Sequence, residues 1–236
     1  MTTPMTGDRP MPDLLHNVFW HCLTGPQAAH AAGTAGARRY AAGFSPIVAF
    51  ENPADPDVAA LAPHCAPGER LYCADWSGPV PAGWRLEVET AMLCMVWGGT
   101  APDDDPAPDA LPLGAAQAPQ AVALADVTHP GPFGPRTIEL GEYFGCFDDD
   151  GRLIAMAGER SQAGTLREIS GVCTDPAHQG RGLARRLMLK LIARQMRRGE
   201  LPFLHVMRSN DGAHGLYLRM GFRDHHETVV RVISRA

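Results

Sequence analysis

The 236-residue chain has no apolar run near the ~18 residues that a membrane-crossing helix needs. Its start, Met-Thr-Thr-Pro-Met-Thr-Gly-Asp-Arg-Pro, has neither the basic head nor the apolar core of a secretory signal. None of the six cysteines stands in a Cys-x-x-Cys pair, which points to free buried thiols in a reducing cytoplasm ahead of disulfides or zinc. Cations are not in excess. A net charge of −5 and a pI near 6.0 argue against nucleic acid as the main partner. Two common phosphate loops, G-x-x-x-x-G-K-[ST] and G-x-G-x-x-G, are also missing.

What remains is an ordinary globular composition, 45% hydrophobic and 20% charged. Residues 1–12 read as a disordered tail. Residues 13–98 alternate strand and helix patterns, which implies an α/β domain. Helices are expected at 14–23, from Thr24 onward and at 55–61, and strands at 46–50, 70–73, 84–89 and 92–97. Residues 99–119, with Thr-Ala-Pro-Asp-Asp-Asp-Pro-Ala-Pro, have linker composition, and Asp103 to Asp105 read as a solvated loop. From 120 to 236 a second α/β unit is expected. Helices fall at 121–127, 137–143, 180–198 and from Asn210. Strands fall at 143–147, 152–160, 166–174, 202–207 and 228–234, with Asp148-Asp-Asp-Gly151 as a hairpin turn. In the long helix the cations Arg185, Arg186, Lys190, Arg194, Arg197 and Arg198 read as a solvated face.

The informative stretch is Ile169-Ser-Gly-Val-Cys-Thr-Asp-Pro-Ala-His-Gln-Gly-Arg-Gly-Leu-Ala184. An apolar strand ends at Pro176, a loop with Gly180 and Gly182 follows, and a helix begins. Glycines let a ligand approach the backbone, and a helix start offers unpaired N–H groups with a positive dipole. Together they suit a phosphate or diphosphate.

Gln179-x-x-Gly182-x-Ala184 resembles the R/Q-x-x-G-x-G/A signature of the GCN5-related N-acetyltransferase (GNAT) superfamily. Further on, Asn210-x-x-Ala213-x-x-Leu216-Tyr217-x-x-x-Gly221-Phe222 is similar to that family's second signature. The segments His129-Pro-Gly-Pro-Phe-Gly-Pro-Arg-Thr-Ile-Glu139 and Ala155-Met-Ala-Gly-Glu-Arg160 resemble the FR47-like branch. The resemblance covers residues 120–236. It implies a mixed, mostly antiparallel central sheet flanked by helices, and residues 13–98 could be a degenerate copy of the same fold.

The resemblance implies acetyl-CoA as acyl donor, no metal, and a small-molecule amine or amino acid as acceptor. Gln179, Gly180, Arg181, Gly182, Leu183 and Ala184 would hold the diphosphate. The main chain of Val172, Cys173 and Thr174 would pair with the pantetheine arm, and Asn210 would open a helix beside it. Tyr217 would act as general acid toward the departing thiolate. Glu168 would act as base, its pKa raised by apolar strands, with Glu139, Glu142 and His205 behind it. Cys173 has no readable His or Asp partner for a nucleophile's role. Gly212 and Gly215 should loosen the first turns of the Asn210 helix. Phe133, Arg136, Glu139 and Tyr143 would line the acceptor pocket, with Arg136 suited to a carboxylate. The first half would close over the site or serve a homodimer. Two other functions fit the same motifs: a non-catalytic acyl-CoA sensor, and acetylation of a protein N-terminus or lysine.

Overall fold

The computed structural model describes residues 14–236; the tail expected at 1–12 lies outside the described residues. Eleven strands form a single sheet in the order β1-β2-β3-β4-β11-β5-β10-β9-β8-β7-β6. The first half supplies β1 (Ala31–Gly33), β2 (Ala37–Tyr40), β3 (Ile47–Phe50), β4 (Arg70–Ala74) and β5 (Trp84–Trp97), with helix α1 (Val18–Thr24). The second supplies β6 (Leu111–Pro112), α2 (Ala118–Thr128), β7 (Tyr143–Phe147), β8 (Leu153–Ala163), β9 (Leu166–Thr174), α3 (Leu183–Arg197), β10 (Leu201–Met207), α4 (Asp211–Met220) and β11 (Phe222–Arg235).

The two halves exchange their last strands. β5 lies between β10 and β11, and β11 lies between β4 and β5, all antiparallel. The sequence reads 84–89 and 92–97 as two strands. The chain joins them, because Thr90 and Ala91 carry no turn signal, into a strand of 14 residues. In each half one pair runs parallel: β3 with β4, and β9 with β10.

Several expected helices shrink. Residues 137–143 form a short 3-10 turn at Thr137–Leu140 before β7 starts, and 55–61 gives way to a 3-10 turn at Ala59–His64. Thr24 ends α1 and bonds back to Trp20 instead of capping a new helix. The 99–119 stretch is held to α3: Lys190 pairs with Asp105 at 2.5 Å and bonds the Ala107 carbonyl, and Arg186 pairs with Asp109. At the other end of α3, Arg194 and Arg198 pair with Glu142. Much of the cationic face expected to be solvated is therefore ion-paired. The apolar face of α3, with Leu187, Leu191 and Ile192 fully buried, packs on the sheet.

Candidate active site

The parallel pairing of β9 and β10 stops at Glu168 and Phe203. Beyond that point the strands part, and Ile169 to Val172 on one side and Leu204 to Met207 on the other line a cavity of about 410 Å³. A β-bulge sits at the opening. Met156 pairs with Cys173 and Gly158 with Ser170, so β9 spends one extra residue where Gly171 has φ 62°. A bulge of this kind takes backbone groups out of the ladder and re-aims them. In the sequence Gly171 carries no mark of this role beyond being a glycine inside a strand pattern.

The first half closes the other side. Ile47, Tyr72, Val232 and Val88 are register partners across β3, β4, β11 and β5, and all four line the cavity. His129 to Pro132 complete its rim, where Ser45 donates to the Pro132 carbonyl at 2.9 Å. Arg70 also lines it and makes no ion pair with the described residues.

Tyr217 lies on α4 with its ring against Phe222, lining the cavity and 8% exposed. Burial pushes its phenol up to about 12, so it stays protonated at neutral pH. Asn210 lines the cavity and caps α4, accepting from the Ala213 N–H at 3.1 Å. Gly212 and Gly215 do not break this helix, which runs unbroken from Asp211 to Met220.

The glycine loop leads into α3 as expected, three residues later than the motif alone suggests. Gly180 and Gly182 have φ of 76° and 72°, and Gly182 is the N-cap without a side-chain cap bond. A Cβ at either glycine would meet nothing within 4 Å, so the backbone faces open space. Gln179 donates to the Thr174 carbonyl at 3.4 Å. Arg181 carries its charge beside the uncapped turn, and Leu183 and Ala184 are the first helical residues. These groups fit a diphosphate: free N–H donors, a helix start and a nearby cation.

Three charged residues named for the base or the acceptor pocket do not match their expected roles. Glu168 is fully buried and does not line the cavity. Burial alone would raise its pKa, yet Arg160 and His205 outweigh burial and hold it below the usual carboxylate range. Arg160 grips it through Nε and Nη2 at 2.9 and 2.7 Å, and His205 Nδ1 lies 2.8 Å away. A carboxylate so stabilised is a poor base. Arg136 and Glu139 are the second and third. They pair with each other on the surface, and Arg136 stacks on Phe44 at 4.3 Å, away from the cavity. Glu142, another reserve base, is tied to Arg194 and Arg198.

Phe133 and Tyr143, also expected in the acceptor pocket, do not line this cavity; they stack edge to face at 5.9 Å beside Gly171 of the bulge. The Tyr143 hydroxyl is buried and has no hydrogen-bond partner among the described residues. Val172 faces the cavity. Cys173 is buried toward α2, its thiol pushed up to about 11 by burial, which removes it as a nucleophile. Thr174, half-buried, ends the strand.

The family model for the Acetyltransferase (GNAT) family matches residues 123–222. A GNAT-family protein of Novosphingobium aromaticivorans DSM 12444 is 34% identical, with TM-score 0.83, over 94% of this chain and 98% of that one. The chain belongs to the GNAT family of acetyltransferases. The likeness to the Novosphingobium protein extends through both halves, while the family model matches only the second. A GCN5-related N-acetyltransferase from Kribbella flavida shares the fold at 15% identity, with TM-score 0.55 and 94% of each chain covered. Among curated proteins, the N-alpha-acetyltransferase RimI of Mycobacterium tuberculosis is 41% identical over 56 residues, 24% of this chain. That match spans about a third of RimI's length, 34%. No helix among the described residues is long and apolar enough to cross a membrane.

Proposed function

We propose that this GNAT protein acetylates the primary amine of a small acceptor that carries a carboxylate, such as an apolar amino acid. The supporting observation is the cavity's lining: apolar walls from both halves, the cations Arg70, Arg160 and His205, and no carboxylate side chain. Arg160 spends Nε and Nη2 on Glu168, and Nη1 has no hydrogen-bond partner among the described residues. One buried carboxylate thus faces two cations, because His205 is pushed up to about 9: burial opposes its charge, but Cys94 and Glu168 outweigh burial. The acceptor is expected to bring the missing negative charge. Glu168 is here a positioning residue that holds Arg160 and His205 at the wall.

Acetyl-CoA, when bound, supplies the acyl group as a thioester. Residues 179–184 and the start of α3 hold its diphosphate, and the freed backbone at Gly171 and Val172 binds and polarises the acyl carbonyl. Asn210 fixes the start of α4 and so the position of Tyr217. As the neutral amine nitrogen bonds to the acyl carbon and the C–S bond breaks, Tyr217 gives its proton to the sulfur, and the extra proton on the new amide nitrogen passes through water to restore the Tyr217 phenol. The first half acts as the wall that closes over the site. We place the protein in the FR47-like branch, supported by the 129–135 loop at the cavity rim, and in the cytoplasm, supported by six free, buried cysteines.

The test compares an apolar amino acid with the matching amine that lacks the carboxylate. Charged hydrogen bonds to the acceptor predict roughly a 10–100-fold preference in kcat/KM for the amino acid. Arg70→Met should erase most of it while the KM for acetyl-CoA holds. An amine used as well as the amino acid would overturn the acceptor class. A second reading, acetylation of a peptide N-terminus, draws on the partial match to RimI, and a peptide in the same panel decides it. Acetyl-CoA binding without turnover of any acceptor would leave the sensor.

A further inference from the structure

Consecutive residues of a strand point to opposite faces of the sheet, so the pair His225-His226 in β11 should be divided by it. Here the pair stays together. Asp224 pairs with Met95 and His226 with Cys94, which makes His225 the extra residue of a β-bulge. The two Nδ1 atoms come within 2.8 Å. His16, from the segment ahead of α1, lies over both: its ring stacks on His226 at 4.4 Å and is 5.8 Å from that of His225. One nitrogen of each ring lies within 4.8 Å of the other two. No step of the acetyl transfer uses this cluster.

We propose that His16, His225 and His226 form a binding site for a divalent first-row transition ion, zinc being the expected occupant. Imidazole nitrogen is a preferred ligand of Zn²⁺, Cu²⁺ and Ni²⁺, and three of them leave a fourth position for water. Zinc–nitrogen bonds of ~2.0–2.1 Å require the rings to close somewhat further, which the exposed His16 and His225 can do by side-chain rotation. Binding needs the neutral ring. Asp75, which follows β4, accepts from the Thr228 hydroxyl at 2.5 Å, and the three imidazoles are the ligands proposed. An ion there would clip the segment leading into α1 onto the last strand. Helix α1 carries Phe19 of the cavity wall, so the site is a brace for the wall, not part of the chemistry.

Untagged protein, stripped with chelator, is titrated with Zn²⁺ in a calorimeter. One equivalent is expected, with a rise in melting temperature that chelator reverses. His16→Ala and His225→Ala should each weaken binding by at least roughly tenfold, while His64→Ala leaves it unchanged. Co²⁺ substitution should give the visible bands of a nitrogen site without a sulfur charge-transfer band. A sulfur band, less than one equivalent in the wild type, or undiminished binding in the His16→Ala, His225→Ala double variant would each overturn the proposal.

Discussion

In the first half, β3 and β4 run parallel and are joined through the 3-10 turn Ala59–His64; in the second, β9 and β10 run parallel and are joined through the glycine loop and α3. Each half then sends a strand of 14 residues across to the other, β5 directly from the 75–83 loop and β11 by way of α4. The strand plan is shared; the connections are not. Where β9 and β10 part, the last pair is Glu168 with Phe203, and a buried ionic cluster holds the opening. The corresponding last pair of β3 and β4 is Val48 with Cys73, both fully buried in an apolar cluster. The same sheet geometry therefore yields a ligand cavity in one half and a wall in the other. What separates them is a helix start, a glycine pair, one tyrosine and a buried ionic cluster.

The largest expected effect falls on α4, which the first half lacks. Tyr217→Phe removes one hydroxyl and little packing. Turnover should drop by roughly 10²–10⁴-fold with acetyl-CoA affinity unchanged, the range for a lost general acid. Wild-type turnover in the variant would reduce α4 to a packing element, no different in kind from the 75–83 loop.

Next comes Glu168. Glu168→Gln leaves Arg160 and His205 buried together without their carboxylate, which should cost about 3–5 kcal/mol in urea unfolding. The pH profile sharpens this. His205 titrates at about 9 in the folded state against ~6.5 unfolded, so its contribution is complete below ~6.5 and is lost as pH rises through about 9. Glu168 lies below its ordinary value, so its contribution is lost only in strong acid. The alkaline loss should disappear in Glu168→Gln. A variant with the wild-type profile would show that the cluster is no more essential to the fold than the Val48 position.

The smallest of the three concerns the glycine loop. At acetyl-CoA one hundred times its dissociation constant, linkage predicts stabilisation of about 2.7 kcal/mol. Gly182→Asp should abolish the melting shift by placing a like charge where the diphosphate approaches. The apo fold should lose only about 1–2 kcal/mol for the φ of 72°, since the new Cβ meets no atom. A shift that survives would remove the loop from the comparison.

The glycine loop and the Asn210 to Phe222 register could be read because their residue types stand at fixed spacing. Tyr217 and Asn210 accordingly sit at the cavity. Glu168 was legible as a position but not as a chemistry: the two cations that reverse its pKa come from β8 and β10 and meet it only in the folded sheet. Arg136 was misplaced because an arginine in a cavity-shaping loop has no sequence mark for direction; stacking on Phe44 turns it outward. Arg70, which does reach the cavity, stands at the head of a short strand with nothing to distinguish it. β1 and β2, rich in alanine and arginine, carry little β-propensity and form through pairing with β3.

The exchanged strands set the order in which a growing chain can mature on the ribosome. When β5 has emerged, both of its sheet neighbours, β10 and β11, are still unmade. Until they arrive, a long strand with an apolar end, Met92 to Trp97, presents unpaired edges to the cell, the condition that invites wrong pairing. Closure must wait for contacts between residues as far apart in sequence as Trp84 and Arg235. Such non-local pairing makes assembly slow and tends to make it all-or-none. The architecture that gives the cavity two walls thus also ties the wall's completion to a strand made after every other strand of the sheet.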